Sequence, residues 1–460
     1  MLGVSRILED IVYNRMKDGK GSTYTLDITF TQSDSGTEVK PTRLEAMSIE
    51  QLFSGQAVDN INCRCMFFPL DLYNLLNNTQ DLKMTMIQQR WERKYYSTMP
   101  NEEPDVYTFK VMIENPQDLM KQIPPSALKK TAETDFERTQ LHTPLPLDMQ
   151  LIPDIDYEAM KQKGNAMLAD TDVQSVILYM ANLWGIQNTY LSPPDNTKKY
   201  ENITIPPITG FNELIPMLQQ QYGIYEKGAA SYYCNGTWYI YPPYDTTPEK
   251  QEILNIFKLP ENSVDGGDVY HVQDEDSLYI VSFSPVQTQN TAQSATENQG
   301  NAIAVRQADS SMDASRDVDN SGKVTLNQQA AVMAKVNSSS TTTKDQVSTD
   351  YRGTTANIFE GLSAISSGQM EHVGLGWIHA KPWSIIPGMK CIMHYDDTTK
   401  GTAEEDYYST VPGIVDGVQY TLHPQGKPGE LIYRWDAQIA LSVAALETDA
   451  SQTQSPTPKQ

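Results

Sequence analysis

Residues Ile203 to Pro242 read ITIPPITGFNELIPMLQQQYGIYEKGAASYYCNGTWYIYP. The paired Pro206 and Pro207 make a rigid, extended entry. Thr209 then stands where a helix cap belongs, and Phe211, Leu214, Ile215 and Leu218 follow at helical spacing. Pro216 removes a backbone donor inside that helix, at a cost of roughly 3 kcal/mol, so a kink or a late start is expected there. Gly223 can end the helix in a left-handed conformation. Ile224, Tyr225 and the run from Ser231 to Tyr233 read as strands. Asn235-Gly236 is a type I′ hairpin signal that returns the chain through Trp238, Tyr239, Ile240 and Tyr241.

Just upstream, Val173, Val176, Ile177, Met180 and Trp184 form an amphipathic stripe, with Thr171 or Asp172 as cap, Gly185 near the end, and Gln174, Ser175 and Asn182 on the polar side. Its reading is core packing. This helix and the hairpin make a compact α+β unit ending near Phe283.

The first third of the chain alternates. Tyr24, Leu26, Ile28 and Phe30 recur at period two, as do Tyr107, Phe109, Val111 and Ile113, so each strand buries one face. Leu70–Leu76 and Asp81–Arg93 read instead as short helical or irregular excursions. Prolines at 124, 125, 144, 146 and 153 suggest an extended connector. Between Phe283 and Tyr351 no aromatic residue occurs, and a segment so polar cannot form a core of its own; it is expected to run across adjacent subunits. Beyond it, His372–Ala380, Met389–Tyr395, Ile414–Leu422 and Leu431–Val443 read as strands. Pro387-Gly388 is a turn signal between two of them, and an acidic loop holding Asp396, Asp397, Glu404, Glu405 and Asp406 interrupts the series.

The expected fold class is therefore α+β, mostly antiparallel β, with two barrel-like β domains flanking a small α+β domain and a long polar extended segment. The expected boundaries are 1–123 for the N-terminal β-rich domain, 124–165 for the connector, 166–283 for the α+β domain, 284–350 for the polar segment, 351–446 for the C-terminal barrel-like domain and 447–460 for a polar tail.

Acidic residues outnumber basic ones by 58 to 35, a formal charge of -23, which repels phosphate and argues against specific nucleic-acid binding. The same sign suits the wall of a tube through which DNA slides, although solubility alone explains most acidic proteins. Cys63, Cys65, Cys234 and Cys391 contain no C-x-x-C pair, so no structural zinc is expected. Cys63 and Cys65 are read as pointing to opposite faces of a strand, which favours free thiols and assembly in a reducing cytoplasm. The N-terminal MLGVSRILEDIVYNRM carries Glu9 and Asp10 within its apolar stretch, unlike a secretory signal or a membrane span.

Motifs for chemistry are sparse. Asp317, Asp319, Ser321 and Gly322 imitate the first half of a calcium loop, but Gln328 stands where a bidentate glutamate belongs, and an ordinary turn is the preferred reading. His142, His271, His372, His379, His394 and His423 form no metal-binding pair on a helix, and neither a nucleophile elbow nor a phosphate loop is present. A carboxylate pair for glycoside hydrolysis needs only a spatial separation, yet no acid is distinguished from a surface residue. The expectation is no catalytic residue, no cofactor and no metal. Twenty-five tyrosines, clustered at 222–244 and 395–420, suit subunit contacts, sheet packing or sugar stacking.

Pro206, Pro207, Leu214, Leu218, Tyr222, Gly223, Tyr225 and Tyr239, in the order paired prolines, short helix, Tyr-Gly step and hairpin, resemble a module of the central baseplate hub proteins of contractile-tailed bacteriophages. The resemblance covers under a tenth of the chain and includes no catalytic residue. It implies a non-enzymatic virion protein, a homotrimer whose two barrel-like domains per subunit mimic a six-membered ring. Its partners would be tail tube protein, central spike protein and baseplate wedge proteins. Tyr222, Tyr225, Trp238, Tyr239 and Tyr241 are the expected contact residues, with the segment from Gln287 to Thr343 crossing to neighbours. The alternatives are a tail-associated glycan-binding or glycan-cleaving protein, or a peripheral wedge component.

Overall fold

Alternation builds the first strand: along Thr23–Gln32, Tyr24, Ile28 and Phe30 are buried and the residues between them are not. The computed structural model describes residues 23–258 apart from 33–35, 78, 80, 93–96, 99–102, 129–133 and 248–252. It also describes short strands between 271 and 348, residues 359, 363 and 366, and 370–444 apart from 379, 397–407 and 426–430.

Eight strands close into a barrel. Their order around the ring is Arg43–Leu52, Asn60–Phe67, Leu145–Pro153, Asp105–Met112, Leu82–Glu92, Thr23–Gln32, Ile432–Ala444 and Tyr408–Gln425, which pairs again with Arg43–Leu52. Every neighbouring pair is antiparallel, and closure removes the free edges that would otherwise invite uncontrolled pairing. Phe30, Met47, Ile49, Ile61, Phe67, Met84 and Phe109 fill the interior, with Phe30 edge-on to Phe67 at 5.3 Å between ring centres. Buried Trp435 donates its indole N–H to Gln88 Oε1 at 2.9 Å, so the strand from the far end of the chain is tied in by a polar contact as well as by the ladder.

The same two C-terminal strands also belong to a second sheet. Its order is Met370–Ile378, Ile432–Ala444, Tyr408–Gln425, Lys390–Asp396, Ile253–Lys258, Ser277–Ser282 and His271–Asp274. Ile253–Lys258 runs parallel to both its neighbours. Ser277–Ser282 returns to within 8 Å, Cα to Cα, of Met370–Ile378, so this sheet curls into a second barrel-like unit around Trp377, Leu375, Met393 and Leu441. The changeover between the two units is a bulge at Asp416. The ladder shifts register between Val415 and Gly417, and a side chain at Gly417 would lie 2.5 Å from the Gln51 carbonyl oxygen, so glycine lets the strands cross over closely.

The small α+β unit has its own core. Helices Val173–Leu183 and Phe211–Gln221 pack on the antiparallel ribbon Gly164–Thr171/Tyr200–Thr209 and on a sheet ordered Asn188–Leu191, Thr237–Tyr241, Ala230–Cys234. Asp172 caps the first helix, its Oδ1 accepting the Ser175 N–H at 2.8 Å. Asn235 at φ 50° and Gly236 at φ 76° give the left-handed pair that a type I′ turn requires. Gly223, at φ 79°, stops the second helix and donates to the carbonyl of Leu218. Gly388, at φ 76°, makes the turn after Pro387, where Met389 N–H meets the Ile386 carbonyl at 3.2 Å.

Several expectations are corrected. Thr209 is not the cap: its hydroxyl donates to the Pro206 carbonyl, and the helix begins after Gly210, whose N–H reaches Glu213 Oε2. The late start expected at Pro216 is not seen: the helix runs from Phe211 through Pro216, and Asn212 and Pro216 both lie on the exposed face, where a carbonyl left without its donor is open to solvent. Ile224 and Tyr225 are not a strand, since Gln219 Oε1 accepts both of their backbone N–H groups and holds them in a bend. Asp81–Arg93 is largely the strand Leu82–Glu92, with Leu82, Met84 and Met86 inward at period two. The 124–165 stretch is no extended connector: it holds the helices Asp135–His142 and Asp154–Lys161 and the barrel strand Leu145–Pro153, whose Pro146 stands at the strand start. Strands 253–282, assigned to the α+β domain, belong to the second sheet, and the first barrel draws on 145–153 and on the C-terminal strands as well as on 1–123. Cys63 and Cys65 share one inward face, as strand periodicity requires, with their thiols in hydrogen-bond contact at 3.7 Å and no disulfide between them. Residues 1–22, the acidic loop beyond Asp396, the tail and all but short strands of 284–350 lie outside the described residues, as do Asp319, Ser321, Gly322 and Gln328.

Candidate functional site

Of the five expected contact residues, Tyr225, Trp238 and Tyr241 are buried inside the chain itself. Tyr225 donates its hydroxyl to the Ser192 carbonyl at 2.5 Å, Trp238 packs edge-on to Trp184 and Phe211, and Tyr241 lies against Gly388 with its hydroxyl on the Phe53 carbonyl. These three join parts of one chain and have almost no area left for a partner. Tyr222 and Tyr239 are half-buried, beside Tyr200 and Tyr190 respectively.

The three parts of the molecule meet at Asp59, in the loop before strand Asn60–Phe67. The residue is 3% exposed, and its carboxylate accepts three hydrogen bonds: from Gln51 Nε2 of the barrel at 2.8 Å, from the Tyr232 hydroxyl of the α+β unit at 2.7 Å, and from the indole N–H of Trp383, in the turn between strands Met370–Ile378 and Lys390–Asp396, at 2.7 Å. Burial raises its pKa, and the three donors pull it back. Nearby Asp156, on helix Asp154–Lys161, is fully buried. Burial, and secondarily the charge of Asp59, push its carboxyl up to about 8, so at neutral pH it is held mostly in its protonated form.

Above this junction opens a cleft of about 470 Å³. Its floor is aromatic: the rings of Tyr107 and Trp383 are 4.3 Å apart at 34°, and Phe109 lies 6.4 Å from Tyr107. Trp383 holds φ 56°, a strained value for a large side chain, kept in place by Asp59 on one side and Tyr107 on the other. Val106 and Ile155 flank the opening, 58% and 55% exposed, and Asp154, Glu158 and Asn235 complete the rim. In the sequence Tyr107 and Phe109 read only as strand residues, and Asp59, Asp156 and Trp383 carry no local signal. The turn at Asn235 was the one part of the rim with a local signal.

A Ser, a His and an Asp also converge at the bulge. Ser442 Oγ donates to Asp416 Oδ2 at 2.5 Å, and both contact His372 Nδ1, at 3.1 and 3.2 Å. A nucleophilic relay needs the acid and the serine on different ring nitrogens and the serine open to substrate. Here both sit on one nitrogen and Ser442 is fully buried, so the cluster braces the strand changeover. Asp416 raises the His372 pKa above its ordinary value. His394 is lowered to about 4 by burial. Among the described residues no group of three His, Cys, Asp or Glu is placed to hold a metal, and no helix is long and apolar enough to cross a membrane.

Residues 60–277 match the family model described as Bacteriophage PBS1 gene 109 protein. The chain is similar to a bacteriophage protein family. The matched span contains the 203–242 module that resembles phage hubs, and also most of the cleft, but neither Trp383 nor the strands that close the first barrel. Among curated proteins there is no match. Solved structures similar in outline include the tail protein from Neisseria meningitidis MC58, at 9% identity and TM-score 0.45, covering 91% of this chain and 96% of that one. The 43 kDa tail protein of prophage MuSo2 from Shewanella oneidensis gives 8%, 0.41, 90% and 96% in the same order. Prophage tail protein gp18 from Listeria monocytogenes EGD-e gives 10%, 0.35, 90% and 94%. At these scores the fold is defined by the strand pairings above and not by the likeness.

Proposed function

We propose that this chain is a structural virion protein, the central hub of a phage tail baseplate, joining the tail tube to the central spike. The observation that carries the reading is the pair of barrel-like units sharing two continuous strands, Tyr408–Gln425 and Ile432–Ala444, which fixes their spacing and orientation within one protomer. Three copies related by rotation present six such units, matching a six-fold tube on one side and a three-fold spike on the other. The homotrimer, tube, spike and wedge proteins are the partners that follow. The chain acts without cofactor or specific nucleic-acid contact, and its place is the virion tail after assembly in the host cytoplasm. The formal charge of -23 suits a wall that DNA slides past, and the four cysteines are buried and unbonded, in keeping with reducing conditions. Electron microscopy of the chain mixed with tube and spike proteins tests this: three-fold rings with six similar densities on one face are expected, and particles without rings contradict it.

A further inference from the structure

We infer that the cleft beside Trp383 is a receptor for an arginine side chain presented by a basic segment of a partner protein. Its floor offers flat rings, Tyr107 and Trp383, inclined at 34°, and a guanidinium, being planar and weakly hydrated, stacks on such faces better than an ammonium does. Its rim offers carboxylate oxygens: Asp154 engages Lys83 through Oδ2, at 2.7 Å, and Glu158 engages Lys161 through Oε1, at 2.8 Å. Both pairs are partly exposed, so an incoming guanidinium can exchange with Lys83 and Lys161 for these carboxylates. None of the described residues lining the cleft is basic, Lys83 and Lys161 stand just outside it on the two acids, and the formal charge of -23 over the whole chain draws a cation at longer range. A volume of about 470 Å³ takes one long side chain with its flanking backbone. The strain at Trp383 fits a binding role, because its indole is fixed by Asp59 with one part packed on the core and another lining the cleft. This site stands whether or not the chain forms a ring of three.

The test uses the full chain labelled with 5-fluorotryptophan, whose six resonances are followed by fluorine NMR, Trp383 being identified with Trp383→Phe. N-acetylarginine amide is the probe, with N-acetylnorleucine amide and chitotriose as rivals. The Trp383 resonance is expected to move saturably with the arginine probe alone. The double variant Asp154→Asn, Glu158→Gln is expected to weaken that binding by roughly five- to tenfold. Both substitutions lie at the rim, and the other tryptophan resonances report that the variant is folded. An equal response to norleucine amide makes the cleft a plain apolar slot, a response to chitotriose makes it a sugar platform, and no response makes it no site. Each of these three results overturns the proposal.

Discussion

Asp156 is fully buried, and its carboxyl is pushed to about 8, while the unfolded chain releases that proton near 3.8. Between those values the native state binds the extra proton, so stability falls as pH rises. Asp156→Asn removes the ionisation, and is expected to stabilise the chain by roughly 2–4 kcal/mol at pH 8 with little change near pH 4. Urea denaturation at both pH values checks this, and a pH-independent difference would refute it. His372 adds to the slope with the same sign. Its pKa is raised above 6.5 by Asp416, so its contribution is complete below that value and is lost as pH climbs through the folded one. At Asp59 the expectation concerns hydrogen bonding: Tyr232→Phe deprives a buried carboxylate of one of three donors and is expected to cost about 1–3 kcal/mol. None of these groups was legible in the sequence. An aspartate bound for burial looks like any surface acid until the fold brings residue 383 to residue 59.

At the scale of elements, local rules read well where the signal was local. The Asn235-Gly236 turn, the Asp172-capped helix and the four C-terminal strands were all legible, because turn chemistry and hydrophobic period act within a few residues. The misreadings share another cause. Leu82–Glu92 was missed because its alternation uses methionines and ends in polar Gln88, which is buried only because Trp435 reaches it from 347 residues away. Likewise, nothing near Leu145–Pro153 announces that its partners are Asn60–Phe67 and Asp105–Met112. The bulge at Asp416–Gly417 gives a sharp test. Gly417→Ala places a methyl against the Gln51 carbonyl and is expected to destabilise by roughly 2 kcal/mol or more. Hydrogen exchange is expected to quicken first along Gly417–Leu422 and its partner Met47–Leu52; unchanged protection there would mean that the changeover tolerates a side chain.

The whole molecule is an interleaved fold, in which the last strands of the chain close the barrel begun by the first. A chain ending at residue 407 lacks two of the eight barrel strands and the centre of the second sheet. It is expected to lose the near-ultraviolet circular dichroism of both units while keeping that of the α+β core, whose residues all lie upstream. Retention of the full signal would contradict the shared-strand architecture. The same sharing gives each protomer two barrel-like units at fixed spacing, and on this rests the proposed hub. Its most direct test is the mass of the purified chain by light scattering, alone and with tube and spike proteins. Three times the 51.6 kDa of one chain, either at once or on adding those partners, is the expected result. A mass that remains that of a monomer or dimer in their presence would contradict it.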